Sequence, residues 1–172
     1  VTTISNSTAG AAGTMAKIGK GVTIKASNIS VNADSNIEMD TNVGSGVAGM
    51  IAAGVSVTSV SNNSQVSAMV DKGAEPTKIT SDNNFTIKAE SLSKLSGFAV
   101  APGAGIWAGA ASTVDLNSNT KVTTTIADGA EISGANININ AFNTPVLEAY
   151  ATSAYIGVGA VGTVSALIDS YD

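Results

Sequence analysis

The chain of 172 residues contains no cysteine, no histidine and no arginine. Without cysteine there is no disulfide framework and no thiol chemistry. Without cysteine or histidine, neither a zinc site built on those ligands nor a histidine-based catalytic triad can be assembled. All eight cations are lysine, against thirteen Asp and Glu, giving a formal charge of −5 and a pI near 4.5. That balance has the wrong sign for a phosphate backbone, so no nucleic-acid partner is expected. Charged residues make up only 12% of the chain, about half the usual share. Leucine is scarce, with five residues, and aromatics supply 4%. No apolar run reaches eighteen residues, so no transmembrane segment is expected. No secretory signal pattern opens the chain and Val1 is not an initiator methionine, which predicts a mature product or a fragment.

What is abundant is small, β-branched or neutral-polar. There are 27 Ala, 17 Val and 15 Ile, together with 21 Ser, 18 Thr and 15 Asn. Solubility must come from hydroxyl and amide groups rather than from Lys and Glu, a composition that reads as extracellular. The length allows one domain, 1–172, with a real core.

The chain repeats itself. The block Asn28-Ile29-Ser30-Val31-Asn32-Ala33 returns as Asn84-Phe85-Thr86-Ile87-Lys88-Ala89 and again as Asn136-Ile137-Asn138-Ile139-Asn140-Ala141. Val57-Thr58-Ser59-Val60-Ser61-Asn62 echoes the first six residues, and Lys72-Gly73-Ala74-Glu75 matches Asp128-Gly129-Ala130-Glu131. Each unit carries a Gly/Ala tract, at positions 43–50, 101–109 and 155–162, in which Met50, Ile106 and Val158 keep the same offsets. These matches predict about three 52–56-residue units. They run 1–56, 57–112 and 113–164, with 165–172 starting another. The four-residue slips between units are placed at Ala9 to Thr14 and at Pro76 to Asn83.

Inside each unit the period is two. Val22 and Ile24, Ile37 and Met39, and Phe85 and Ile87 each flank a polar residue. Such alternation marks half-buried strands, and β-branched residues suit a pleated surface. Ser-Asn, Asp-Asn, Asp-Gly and Lys-Gly pairs predict turns about every 7 to 10 positions. The fold class expected is all-β: a β-solenoid in which stacked coils bury a continuous row of Ile, Val and Ala, with Ser, Thr and Asn outside. Each unit would then hold three short coils, of about 18 positions apiece. A β-sandwich is the rival, but it needs no long sequence period.

No motif carries clear chemistry. Gly157-Val158-Gly159-Ala160-Val161-Gly162 spells the dinucleotide fingerprint, yet the acid expected about 20 residues on would lie past Asp172, and the stretch is the third of a repeated series. Asp34, Glu38 and Asp40 lack the density and fixed glycine of a calcium loop. Glu75 and Glu131 could be a glycosidase pair, but matching repeat positions suggest solvated turn residues. Neither an enzyme nor a cofactor or metal site is expected. Asn6, Asn28, Asn62 and Asn84 open glycosylation sequons, which chance explains in so Asn-rich a chain. Around the Gly/Ala tracts stand Trp107, Phe98, Tyr150 and Tyr155. They are expected chiefly in core or lateral packing; the alternative is an interaction surface for sugar stacking, self-association or membrane insertion.

The blocks Phe85 to Ala89 and Ile137 to Ala141, the Gly/Ala tract that follows, the strand Val55 to Asn63 and the turn Ala127 to Ile132 resemble repeats of very large bacterial exoproteins of the filamentous-haemagglutinin and leukotoxin type. The resemblance spans essentially the whole chain through degenerate motifs. It implies a right-handed parallel β-helix, secreted by a two-partner or type V route and working in adhesion, biofilm or host contact. The absence of cysteine suits passage through an outer-membrane pore. The expected role is a non-enzymatic extracellular or cell-surface shaft, with a host protein or glycan, or the chain itself, as partner. A self-assembling filament is the alternative.

Overall fold

The computed structural model describes residues 2–7 and 13–171, with side chains from Gly13 to Ser170. The described residues form seven strands and no helix: β1 (Thr2–Ser7), β2 (Thr14–Ile18), β3 (Thr23–Gly44), β4 (Val47–Val70), β5 (Lys78–Ile126), β6 (Glu131–Ile156) and β7 (Gly159–Tyr171). Every pairing between them is parallel, and together they make one curled sheet, an all-β architecture compatible with a β-solenoid.

The register shows how the sheet curls. Val31 pairs with Ile87, and Ile87 with Ile139. Thr58 pairs with Val114, and Val114 with Ala166. Each strand therefore lies on the chain one full sequence period away. A circuit consists of a long outgoing leg, a reversal and a return leg. β3 and β4 are the two legs of the first circuit, the two halves of β5 those of the second, and β6 and β7 those of the third. Thr41 faces Thr58 and Ser93 faces Ser118 across the circuit, through hydroxyl pairs 3.4 Å apart. The legs thus run antiparallel to one another, face to face, while each stacks in parallel on its counterpart.

This arrangement corrects the expected division of each unit into three short coils. No strand pairs at so short a spacing among the described residues, and the pairs read as turn signals mostly lie inside strands. Ser61-Asn62 sits within β4 and Asp82-Asn83 within β5. Asn tolerates the extended backbone here because its amide can bond along the stack. Asn84 Nδ2 donates to Asn28 Oδ1 at 3.0 Å, and Asn136 Nδ2 to Asn84 Oδ1 at 3.1 Å.

True turns close the circuits only at the end opposite the reversal. Two are short, Gly19–Val22 and Ala127–Ala130, with Gly21 and Gly129 at positive φ (62° and 78°), where other residues are strained. The turn between them, Asp71–Thr77, is longer by three residues. It is tied to its short neighbour by Thr77, which is fully buried. The Thr77 hydroxyl donates to Asp71 O at 2.8 Å and accepts from Gly21 N at 3.2 Å. A bulge follows, in which Asp82 and Asn83 oppose the single residue Ser27 below and Ala135 above. Ser81 Oγ pins it, with the carbonyl oxygens of Ser27 and Asn84 both within reach of its one hydroxyl proton, at 3.0 and 2.8 Å. Three residues of turn and one of bulge account for the change of register from 56 to 52. The Ala9 to Thr14 slip falls largely outside the described residues, although β1 pairs with β4 at one register and β2 at the other. Register also corrects the turn alignment: Glu131 stands opposite Lys78, not Glu75, and pairs with its ammonium at 3.2 Å.

The core lies between the legs in two clusters. Towards the turn end Val31, Val66, Val70, Ile79, Phe85 and Ile87 pack together; towards the reversal Val60, Leu95, Ala99, Val114 and Leu116 do so. Between the clusters the inward rows turn polar. Asn62 Nδ2 donates to Thr120 Oγ1 at 3.1 Å, and Ser64 Oγ lies 3.2 Å from the same hydroxyl. The expectation that Ser, Thr and Asn stay outside is therefore incomplete. Legs of 22 to 26 residues present more inward positions than the Ile and Val can fill, and hydroxyls that bond one another meet the cost of burial. Ile137 and Ile139 point inward like Phe85 and Ile87 beneath them, yet are about half exposed, since no further circuit among the described residues stacks on them, while their partners are fully buried.

Candidate interaction surface at the reversal

The Gly/Ala tracts prove to be where each circuit turns back. Gly49, Gly105 and Gly157 stack at this point, and the small side is needed there. A Cβ on Gly105 would run into the Gly49 carbonyl oxygen, and one on Gly157 into that of Gly105. Glycine lets successive backbones approach at the tightest bend of the circuit. The next residues, Met50, Ile106 and Val158, have nowhere inward to go. With Ile51, Trp107 and Ile156 they form an outward apolar ladder across all three circuits; Val158 is 92% exposed, Ile51 82% and Met50 76%. Exposed large apolar side chains gathered into one patch are unusual on a soluble surface and mark contact sites.

Two shallow grooves flank the ladder. One, of about 380 Å³, is lined by Val47, Ala48, Pro102, Ala104, Ala154 and Ile156 on the outgoing side. The other, of about 280 Å³, is lined by Val55, Gly109, Ala111, Val161 and Thr163 on the return side. Charge is missing throughout this region. No Asp, Glu or Lys occurs between Asp40 and Asp71, between Lys94 and Asp115, or between Glu148 and Asp169. Stacking superimposes these three gaps, and each contains a reversal residue. All the ion pairs among the described residues lie outside these gaps: Lys17 with Asp71 at 2.8 Å, Lys94 with Glu38 at 3.6 Å, Lys78 with Glu131, and Lys88 with Glu90. The hydrogen bond from Lys17, with another from the Lys72 amide, lowers the Asp71 pKa below the ordinary carboxylate value. The hydrogen bond to Glu90 raises that of Lys88.

The four aromatic residues singled out in the sequence do not share one place. Trp107, 64% exposed, belongs to the outward ladder, and its indole lies over Gly159 of the next circuit. Phe98 and Tyr150 are neighbouring rungs on the outer face of the outgoing legs, eight residues before the reversal. They are partly and largely exposed, so neither is core. Tyr155 alone faces across the circuit, its ring packed on Gly162. Lateral packing against glycine thus describes Trp107 and Tyr155, while Phe98 and Tyr150 are surface residues.

Among the other motifs, the Gly157 to Gly162 stretch forms the third reversal and the start of strand β7, with no helix to receive a phosphate. Asp34, Glu38 and Asp40 are spread along an outer face, with Glu38 held by Lys94. The Asn28 and Asn84 sequons are exposed, whereas Asn62 is buried. Sequence reasoning noted the constant offsets of Met50, Ile106 and Val158 but missed that they are exposed. The signal available was the coincidence of each Gly/Ala tract with a charge-free gap. The chain matches no protein-family model, no curated protein and no solved structure.

Proposed function

We propose that the chain is a length of flattened, right-handed parallel β-solenoid serving as a non-enzymatic structural and adhesive shaft in a bacterial surface or secreted exoprotein. The observation that carries this reading is the in-register stacking of three long circuits, which extends a core along one axis without needing a unique site. The Ser, Thr and Asn surface, the lack of cysteine and the resemblance to haemagglutinin-type repeats support an extracellular place. Such a shaft works mechanically and multivalently, holding contact surfaces for a host protein or glycan away from the cell. A second reading is a self-assembling filament, in which copies stack head to tail through the same parallel, in-register strand pairing that joins the circuits. Negative-stain electron microscopy over a dilution series, with sedimentation velocity, tests both. Isolated short rods support the shaft, fibres with a regular axial repeat support the filament, and compact globular particles contradict the solenoid itself.

A further inference from the structure

We propose that the reversal edge docks onto an uncharged lipid surface, with Met50, Ile51, Ile106, Trp107, Ile156 and Val158 entering the boundary between headgroups and acyl chains. Three observations converge on this occupant. These large side chains are exposed at one edge; Met50, Ile106 and Val158 recur at the same offset on all three circuits, Ile51 and Trp107 are paired on two, and Ile156 stands over Ala104. The charge nearest along the chain to the apex residues Met50, Ile106 and Val158 is Asp115, nine residues from Ile106, which at about 3.3 Å per residue is about 30 Å along the leg. Peripheral insertion reaches only about 5–10 Å. The nearest charged residues then stay about 20 Å clear of the surface, more than two Debye lengths at physiological salt. An edge without lysine has nothing to offer an anionic headgroup, and one without carboxylates is not repelled by it. The partner this charge distribution fits is therefore a neutral bilayer, held by apolar contact alone. Among the described residues no helix is long and apolar enough to cross a membrane, and docking of this kind requires none.

The chain supplies its own probe, since Trp107 is its only tryptophan. Titration with phosphatidylcholine vesicles should shift Trp107 emission to the blue and carry the protein with floated vesicles. Affinity should change by less than about twofold between low and high salt, and on adding phosphatidylglycerol, because the charges lie beyond screening range. Val158→Glu, at a side chain that packs against little, should weaken binding at least about tenfold while leaving the strand circular-dichroism spectrum unchanged. Absence of a shift with any vesicle would overturn the proposal. So would binding that needs anionic lipid and is abolished by salt, or a shift that appears with rising protein concentration and no lipid, which would assign the edge to a second copy.

Discussion

Replacing Gly97 with alanine tests whether the two legs face each other. Gly97 lies on the outgoing half of β5, between the inward residues Leu95 and Ala99. A Cβ there would stand 2.6 Å from Val114 Cγ1, 3.0 Å from Leu116 Cδ2 and 3.1 Å from Thr58 Cγ2, all on return legs. Carbon atoms pack best at about 3.5–4.0 Å, so the facing side chains, all fully buried, must yield by close to an ångström. Overpacking of this kind costs about 1–3 kcal/mol. Against it stands the gain of about 0.4–1 kcal/mol from stiffening the unfolded chain, leaving Gly97→Ala about 1–2 kcal/mol less stable. For a chain of this size each kcal/mol moves the melting midpoint by about 2–4 °C, which predicts a fall of about 2–8 °C. Gly44→Ala is the matched control. It makes the same chemical change on an outgoing leg, but a Cβ there meets nothing within 4 Å; its midpoint should rise by about 1–4 °C. Differential scanning calorimetry of both variants decides. A Gly97→Ala protein as stable as Gly44→Ala would refute the packing of leg on leg.

Phe85→Ala empties the largest fully buried side chain and should cost about 3–5 kcal/mol in urea unfolding; less than about 1 kcal/mol would mean the turn-end cluster is not closed. Thr77→Val keeps shape but leaves Gly21 N and the Asp71 carbonyl without their hydroxyl partner, and should cost about 1–3 kcal/mol; no change would show that the long turn is held by other means. Acid should act through Asp71. Because its folded pKa is lowered, its contribution is complete above the ordinary carboxylate value of about 3.9 and is lost as pH falls through the lower folded value. The stability gap between the native chain and Asp71→Asn should therefore close at the acid end, and a gap constant from about pH 2 to pH 7 would contradict the pairing with Lys17.

The strand content and the long repeat offsets were legible because both are local or self-referential. Alternation marks Phe85 and Ile87 as inward without reference to a partner, and Asn28, Asn84 and Asn136 announce their own stacking. Circuit size was not legible. Asn and Ser signal turns when exposed and alone, but inside the stack Asn62 bonds Thr120 and Ser61-Asn62 stays extended, while Asp82-Asn83 makes a bulge within β5 rather than a turn. The surface was half legible for a related reason. Alternation predicts one apolar face, and it fails at the reversal, where the bend leaves no interior for Met50, Ile106 and Val158. Trp107 and Tyr155 were singled out together, and only the fold separates them: Trp107 stands on the outward edge and Tyr155 packs across the circuit.

The central claim is that one circuit takes one whole period of the sequence. Because the chain has no cysteine, pairs of spin labels can be placed at will and their separation measured by electron spin resonance. Labels at Ser59→Cys and Asp115→Cys, which stand in register on adjacent strands, should be neighbours, with backbones about 5 Å apart. Labels at Lys78→Cys and Ser96→Cys, eighteen residues apart along the straight outgoing half of β5, should be separated by about 60 Å. Strong dipolar broadening for the second pair would put them on adjacent coils and contradict the long circuit.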